Sequence, residues 1–109
     1  MEIAYRDLGK HKIIAVDGDV DLYNVAELKQ SIFKLLDSEQ IESLIIDMKG
    51  INYMDSSGVG ALVAGQKKVK TQGGKFSLVN INEDVMNILK LATLDQFFTI
   101  FESELEIQN

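Results

Sequence analysis

The stretch Ser43-Leu44-Ile45-Ile46-Asp47-Met48 constrains the fold more than any other part of the chain. It is short, nearly continuous in apolar side chains and bounded by polar residues. A run of that kind is expected of a central strand covered on both faces, with no side to give to water. The rest of the chain has to supply neighbouring strands and the elements that pack on them.

The flanking segments do this by alternation. Lys12-Ile13-Ile14-Ala15-Val16 carries the period and β-branched content of a strand, and a second strand around Ile3-Ala4-Tyr5 precedes it across a Gly9-Lys10 turn, which predicts a hairpin. From Asn24 the period becomes helical: Val25, Leu28, Ile32, Leu35 and Leu36 share one face, and Asn24 with Glu27 has capping-box spacing. A second helix is predicted from about Ser57 to Lys70, ending at Gly73-Gly74. Its inward face would be Val59, Leu62, Val63 and Val69, with Gly60, Ala61, Ala64 and Gly65 allowing close approach to the sheet. Phe76 to Val79 reads as a strand, and Asn82 caps a third helix whose first turn holds Glu83 and Asp84. Phe97 to Phe101 reads as a last strand, with at most a short helix after it. The order ββαβαβαβ implies right-handed crossovers and an α/β fold: a mostly parallel central sheet with an antiparallel edge hairpin and helices packed on it. With 109 residues, 46% of them hydrophobic, residues 1–109 are expected to form a single domain.

Charge and composition remove several function classes. The net charge of −6 disfavours nucleic-acid binding, which rests on phosphate neutralisation by Lys and Arg. Lys67, Lys68 and Lys70 do cluster, but at a helix end, where cations complement the helix dipole. There is no cysteine for a disulfide, a thiolate metal site or a nucleophile, and no apolar stretch long enough for a membrane span or an export leader. A soluble cytoplasmic protein is expected. Asp17, Asp19 and Asp21 alternate like the opening of a calcium loop, but Leu22 and Leu28 occupy the positions that need glycine and a bidentate glutamate, so no metal is expected. His11 is the only histidine and is expected at the surface; the nucleophile-elbow and Walker spacings are absent, so no catalytic residues and no cofactor are assigned.

The segment that stands out is Tyr53-Met54-Asp55-Ser56-Ser57-Gly58-Val59-Gly60, between the central strand and the small-residue helix. It sets hydroxyls at a helix N-terminus. Local physics leaves two readings open: Asp55 or Ser56 serves only as the helix cap, or the loop is a contact surface of the kind open α/β sheets carry at the carboxyl ends of their strands. In the second reading Met54 is an exposed contact residue.

These residues resemble the STAS domain family and, within it, the single-domain anti-sigma factor antagonists of bacteria. Met54-Asp55-Ser56-Ser57-Gly58-Val59-Gly60 is similar to the family's phosphorylation motif, and Gly18-Asp19-Val20-Asp21 to its signature after the first hairpin. Gly73-Gly74 and Leu91-Ala92-Thr93-Leu94-Asp95 also match in order and spacing. The resemblance implies a non-enzymatic partner switch. The unphosphorylated protein binds an anti-sigma factor that is itself a serine kinase and so frees a sigma factor; phosphorylation of Ser56 ends the binding and a serine phosphatase restores it. It also implies that Met54, Asp55, Ser57 and Gly58 form the setting of Ser56, with Asp21 on a neighbouring loop. A STAS subunit supporting a membrane lipid- or anion-transport complex is the alternative the resemblance leaves open. The acidic segment from Glu102 to Asn109 is shorter than the family's usual final helix.

Overall fold

The structure, a computed structural model, describes residues 1–108. Strands β1 (Glu2–Leu8) and β2 (His11–Asp17) form the expected hairpin around Gly9, whose φ of 58° suits glycine. Helix α1 (Val25–Ser38), strand β3 (Ser43–Gly50), helix α2 (Ser56–Thr71), strand β4 (Lys75–Val79), helix α3 (Glu83–Leu91) and strand β5 (Thr99–Phe101) follow, and a single 3-10 turn (Glu104–Glu106) closes the series. The five strands lie in the order β1-β2-β3-β4-β5, antiparallel at β1-β2 and parallel elsewhere. Among the described residues no helix is long and apolar enough to cross a membrane.

Strand periodicity divides the core in two. Ile14, Val16, Leu44, Ile46 and Leu78 pack with Leu28 and Ile32 of α1, Leu62 and Val69 of α2 and Val85 and Leu89 of α3. The intervening residues Ile13, Ile45 and Val79 face the other way and are covered by Ile107, with Leu8 and Phe101 at the margin. All six residues from Ser43 to Met48 are buried, as the apolar run requires. The cover is asymmetric: three helices on one face, the C-terminal segment on the other.

Asp47 is the one charged residue in that buried run. It accepts from Arg6 at 3.0 Å, from Asn80 Nδ2 at 3.0 Å and from the Lys49 N–H at 3.1 Å. Burial pushes its carboxyl up, but the hydrogen bonds from Asn80, Lys49 and Arg6 outweigh it and hold the group below the usual carboxylate range. Arg6 also reaches Glu104, so the same network fastens the C-terminal segment across the back of the sheet.

Several local expectations are corrected. His11 is buried, because β2 begins with it: one ring nitrogen meets Ser43 Oγ at 2.7 Å and the other the Gln108 carbonyl at 2.6 Å. The Asn24–Glu27 capping box does not form. The Asn24 side chain turns back into the preceding turn, its Oδ1 accepting from the Asp21 N–H at 2.9 Å and its Nδ2 donating to the Asp19 carbonyl, while Asp21 Oδ1 accepts from the N–H groups of Tyr23 (2.9 Å) and Asn24 (3.2 Å); α1 starts without a side-chain cap. The last strand is shorter than the Phe97–Phe101 run, since Phe98 turns into the helix-side core before β5 pairs with β4 at Ser77–Thr99. Gly60 is exposed and a Cβ there would meet nothing, so it has no part in helix–sheet approach; Gly65, against Phe76 and Ile32, has that part. Asn82 caps α3 as expected, accepting from the Val85 N–H at 2.8 Å.

Ile45 tests the two-sided burial of β3. Ile45→Ala should lower stability by about 2–5 kcal/mol through the cavity it leaves under the C-terminal segment. A wild-type urea midpoint for this variant would contradict the burial of the back face.

Candidate functional site

The site is built where two loops meet at the carboxyl ends of β2 and β3. Val20 and Met54 form a parallel bridge, with the Val20 N–H donating to the Tyr53 carbonyl at 2.9 Å and the Asp55 N–H to the Val20 carbonyl at 3.1 Å. The zipper holds the loop after β2 against the loop before α2. Below it, Ile51 is pinned by its N–H to the Met48 carbonyl at 3.0 Å and by Asn82 Nδ2 on its own carbonyl at 2.9 Å.

Asp55 is the N-cap of α2. Its Oδ1 accepts from the N–H groups of Ser57 (3.0 Å) and Gly58 (3.3 Å) and from the Ser57 hydroxyl; its Oδ2 accepts from the Leu22 N–H at 3.1 Å on the neighbouring loop. The Ser57 hydroxyl, together with these backbone donors, holds the Asp55 carboxyl below the ordinary carboxylate range, since each bond favours the charged form. One carboxylate therefore caps the helix and fastens the second loop.

The two serines are placed differently. Ser57 is partly buried and its hydroxyl is given to Asp55. Ser56 is the first residue of α2, is exposed, and its side chain makes no hydrogen bond to another described residue. Only Ser56 offers a free hydroxyl to an incoming group. A phosphate there would lie at the positive end of a 16-residue helix.

Met54 is corrected: it is 0% exposed and packs inward beneath the loop, so it is a structural plug and not a contact residue. Gly58 explains its environment. A Cβ at Gly58 would come within 2.5 Å of Met54 Cγ and 3.0 Å of Val20 Cγ1, so the close packing of Met54 and Val20 under α2 requires glycine. Asp21 lies on the neighbouring loop as expected, but its carboxylate is engaged in the turn before α1 and reaches Ser56 through no described contact. Three large exposed side chains flank the site, and two of them, Leu22 and Tyr23, were given no role from the sequence. Leu22 (70% exposed), Tyr23 (94%) and Tyr53 (52%) stand out of the two zipped loops, around Asp55. Their signal was available: Leu22 and Tyr23 fall before the apolar stripe of α1 begins and have no core position to fill.

The parallel-sheet order, the hairpin edge and the Asp55-capped helix α2 that begins at Ser56 together define a STAS fold. Residues 2–107 match the family model for the STAS domain, and the chain belongs to that family. Among curated relatives, the chain is 32% identical to the anti-sigma-B factor antagonist of Bacillus subtilis over 87 residues, 80% of this chain and 78% of the relative. It is 23% identical to the anti-sigma F factor antagonist of Paenibacillus polymyxa, over 84% of this chain and 79% of that one. The fold superposes with a TM-score of 0.84 on the crystal structure of an anti-sigma factor antagonist from Mycobacterium paratuberculosis, at 22% identity, over 94% of this chain and 86% of the other.

The Asp55 bonds generate a pH prediction. A carboxyl held below its unfolded value, about 3.9, contributes stability that is present above that value and is lost as pH falls through the folded one. The difference in urea midpoint between wild type and Asp55→Asn should therefore be constant from about pH 5 upwards and shrink below about pH 4. A difference that does not change with pH would remove Asp55 as a charged anchor.

Proposed function

We infer that this protein is an anti-sigma factor antagonist whose unphosphorylated form binds an anti-sigma factor through the two zipped loops, and that phosphorylation of Ser56 ends the binding. The single observation that carries the reading is the division between the two serines: Ser57 is committed to Asp55, while Ser56 is exposed and unengaged, next in the chain to the Asp55 carboxylate that holds the Leu22 N–H. Membership of the STAS family and relatives named as antagonists support this reading over a transporter subunit. In the proposed cycle the anti-sigma factor is also the serine kinase, a serine phosphatase resets the switch, and the domain acts in the cytoplasm as a binding protein and not as a catalyst.

Electrostatics favours a switch at the interface over one that unfolds the domain. Phosphoserine carries about −1.5 to −2 charges, and at the N-terminus of α2 those charges stabilise the fold by roughly 0.3–1 kcal/mol. Against a partner, the same group has to be desolvated next to the ionised Asp55. Such a penalty reaches several kcal/mol, and about 3–4 kcal/mol is several hundredfold in affinity. The aromatic side chains supply the contact area that the phosphate then disrupts. Tyr is among the residues that most often dominate interface energetics.

Incubation with the cognate kinase and ATP separates the serines. Ser56→Ala should take up no phosphate and bind the kinase persistently, whereas Ser57→Ala should still be phosphorylated; the reverse pattern would assign the acceptor to Ser57. In calorimetric titrations of the same kinase, Ser56→Asp should bind more weakly than wild type but better than the phosphorylated protein, since one carboxylate stands in for nearly two charges. Tyr23→Ala should lose about tenfold or more in affinity with an unchanged melting temperature. Equal affinity for wild type, Ser56→Asp and phosphorylated protein would overturn the mechanism.

A further inference from the structure

The partner switch makes no use of a groove of about 880 Å³ at the opposite end of the parallel strands. It lies where β3 and β4 begin, whereas Ser56 follows the end of β3. It exists because β5 starts late: pairing with β4 begins at Ser77–Thr99, so β4 is unpaired on that side at Lys75 and Phe76. Phe97, Phe101 and Ile45 are among the apolar residues that line it.

The polar chemistry of the molecule's interior is concentrated here. Among the described residues five polar or charged ones are buried, and four of them, His11, Ser43, Gln66 and Ser77, line this groove. A dry structural core has no reason to gather them. His11 and Ser43 satisfy each other at 2.7 Å. Gln66 donates Nε2 to the Phe97 carbonyl at 3.1 Å, which fixes that wall, but its Oε1 is the one buried side-chain polar atom without a hydrogen-bond partner among the described residues. An orphaned buried acceptor is costly and calls for a partner from outside the chain.

The rim adds charge. Lys10, Lys70 and Lys75 line the groove together with Glu42 and Glu106, and none of the three lysines forms an ion pair among the described residues. On a chain of net charge −6, that is a local excess of cations. The volume falls within the ordinary range of small-molecule sites, which pair apolar walls with a few convergent polar groups.

We propose that this groove binds a small organic anion: a flat, apolar body against Phe97 and Phe101, an anionic group at the lysine rim, and an N–H or O–H donor for Gln66 Oε1. The site is independent of the switch at Ser56, and its occupancy leaves the Leu22–Tyr23–Tyr53 surface free.

Three probes separate these features in an amide-resolved NMR titration of the full chain, with affinities from calorimetry. Indoleacetate has the ring, the anion and the N–H; naphthaleneacetate lacks the N–H; indoleacetamide lacks the charge. Indoleacetate should bind saturably with shifts centred on Gln66, Ser77 and Thr99, and each of the other two should bind about three- to tenfold more weakly. Gln66→Leu should abolish the preference for indoleacetate over naphthaleneacetate, whereas a purely structural role for Gln66 would weaken both alike. The double variant Lys70→Ser, Lys75→Ser should abolish the preference for indoleacetate over indoleacetamide. Thr99→Trp, at an exposed position on the wall, should block all three probes without disturbing the core. Absence of saturable binding, shifts centred on Leu22, Tyr23 and Tyr53, or an undiminished indole preference in Gln66→Leu would each overturn the site.

Discussion

The architecture depends on burying β3 on both faces. Alternate residues of one strand have to find apolar cover in opposite directions, and the chain meets the two demands with different materials. Leu44 and Ile46 receive three helices, while Ile45 receives Ile107 from a segment with little regular structure. A single large-to-small change on either side would be felt because interiors are close-packed. Asp47 is tolerated in the run because Asn80, Lys49 and Arg6 satisfy it. Through Arg6 and Glu104 its network also holds the C-terminal segment that covers Ile45. The buried charge and the thinner of the two covers are thus one piece of construction.

At the functional end, Asp55 has the corresponding position. Its two oxygens face in different directions, one to the first turn of α2 and one to the loop after β2. The zipper between Val20 and Met54 gives that loop contact a backbone register. The result is two loops fastened to each other, so a partner docking there as proposed would not have to order them as it binds. Preorganisation of this sort raises affinity without adding area.

Much of this was legible in the sequence, and the failures have physical causes. Element order followed from the change between period two and period 3.6, and the Ser43–Met48 run announced a strand buried on both faces. Asn82 and Asp55 behaved as caps because a short acceptor beside a helix start has few other options. Asn24 met the same sequence rule and failed, since its side chain is taken up by the Asp21 N–H and the Asp19 carbonyl of the preceding turn. Met54 and His11 were misplaced for a shared reason: each lies at an element boundary, where no periodicity says which way a side chain points. The late start of β5, which leaves the groove open, depends on Phe98 being drawn into the core and has no local signal. Leu22 and Tyr23 were readable only by elimination, as residues left over once the stripe of α1 was assigned.

In the proposed switch, the opposite effects of one charge in two settings explain why a serine at this position suits reversible control. In the free domain, Ser56 is exposed at a helix N-terminus, so a phosphate keeps its hydration and gains the favourable end of the dipole. Asp55 remains ionised beside it, since its carboxyl is held below the ordinary range, and water screens the two. When a partner closes over the same surface, screening and hydration are lost together, and the phosphate and Asp55 are left as like charges in a lower dielectric. The fold needs Asp55 charged to cap α2 and to hold the Leu22 loop. Neutralising Asp55 would relieve the repulsion only by loosening both loops, so under the proposed switch the group that orders the loops is also the group that opposes a phosphate in a closed interface.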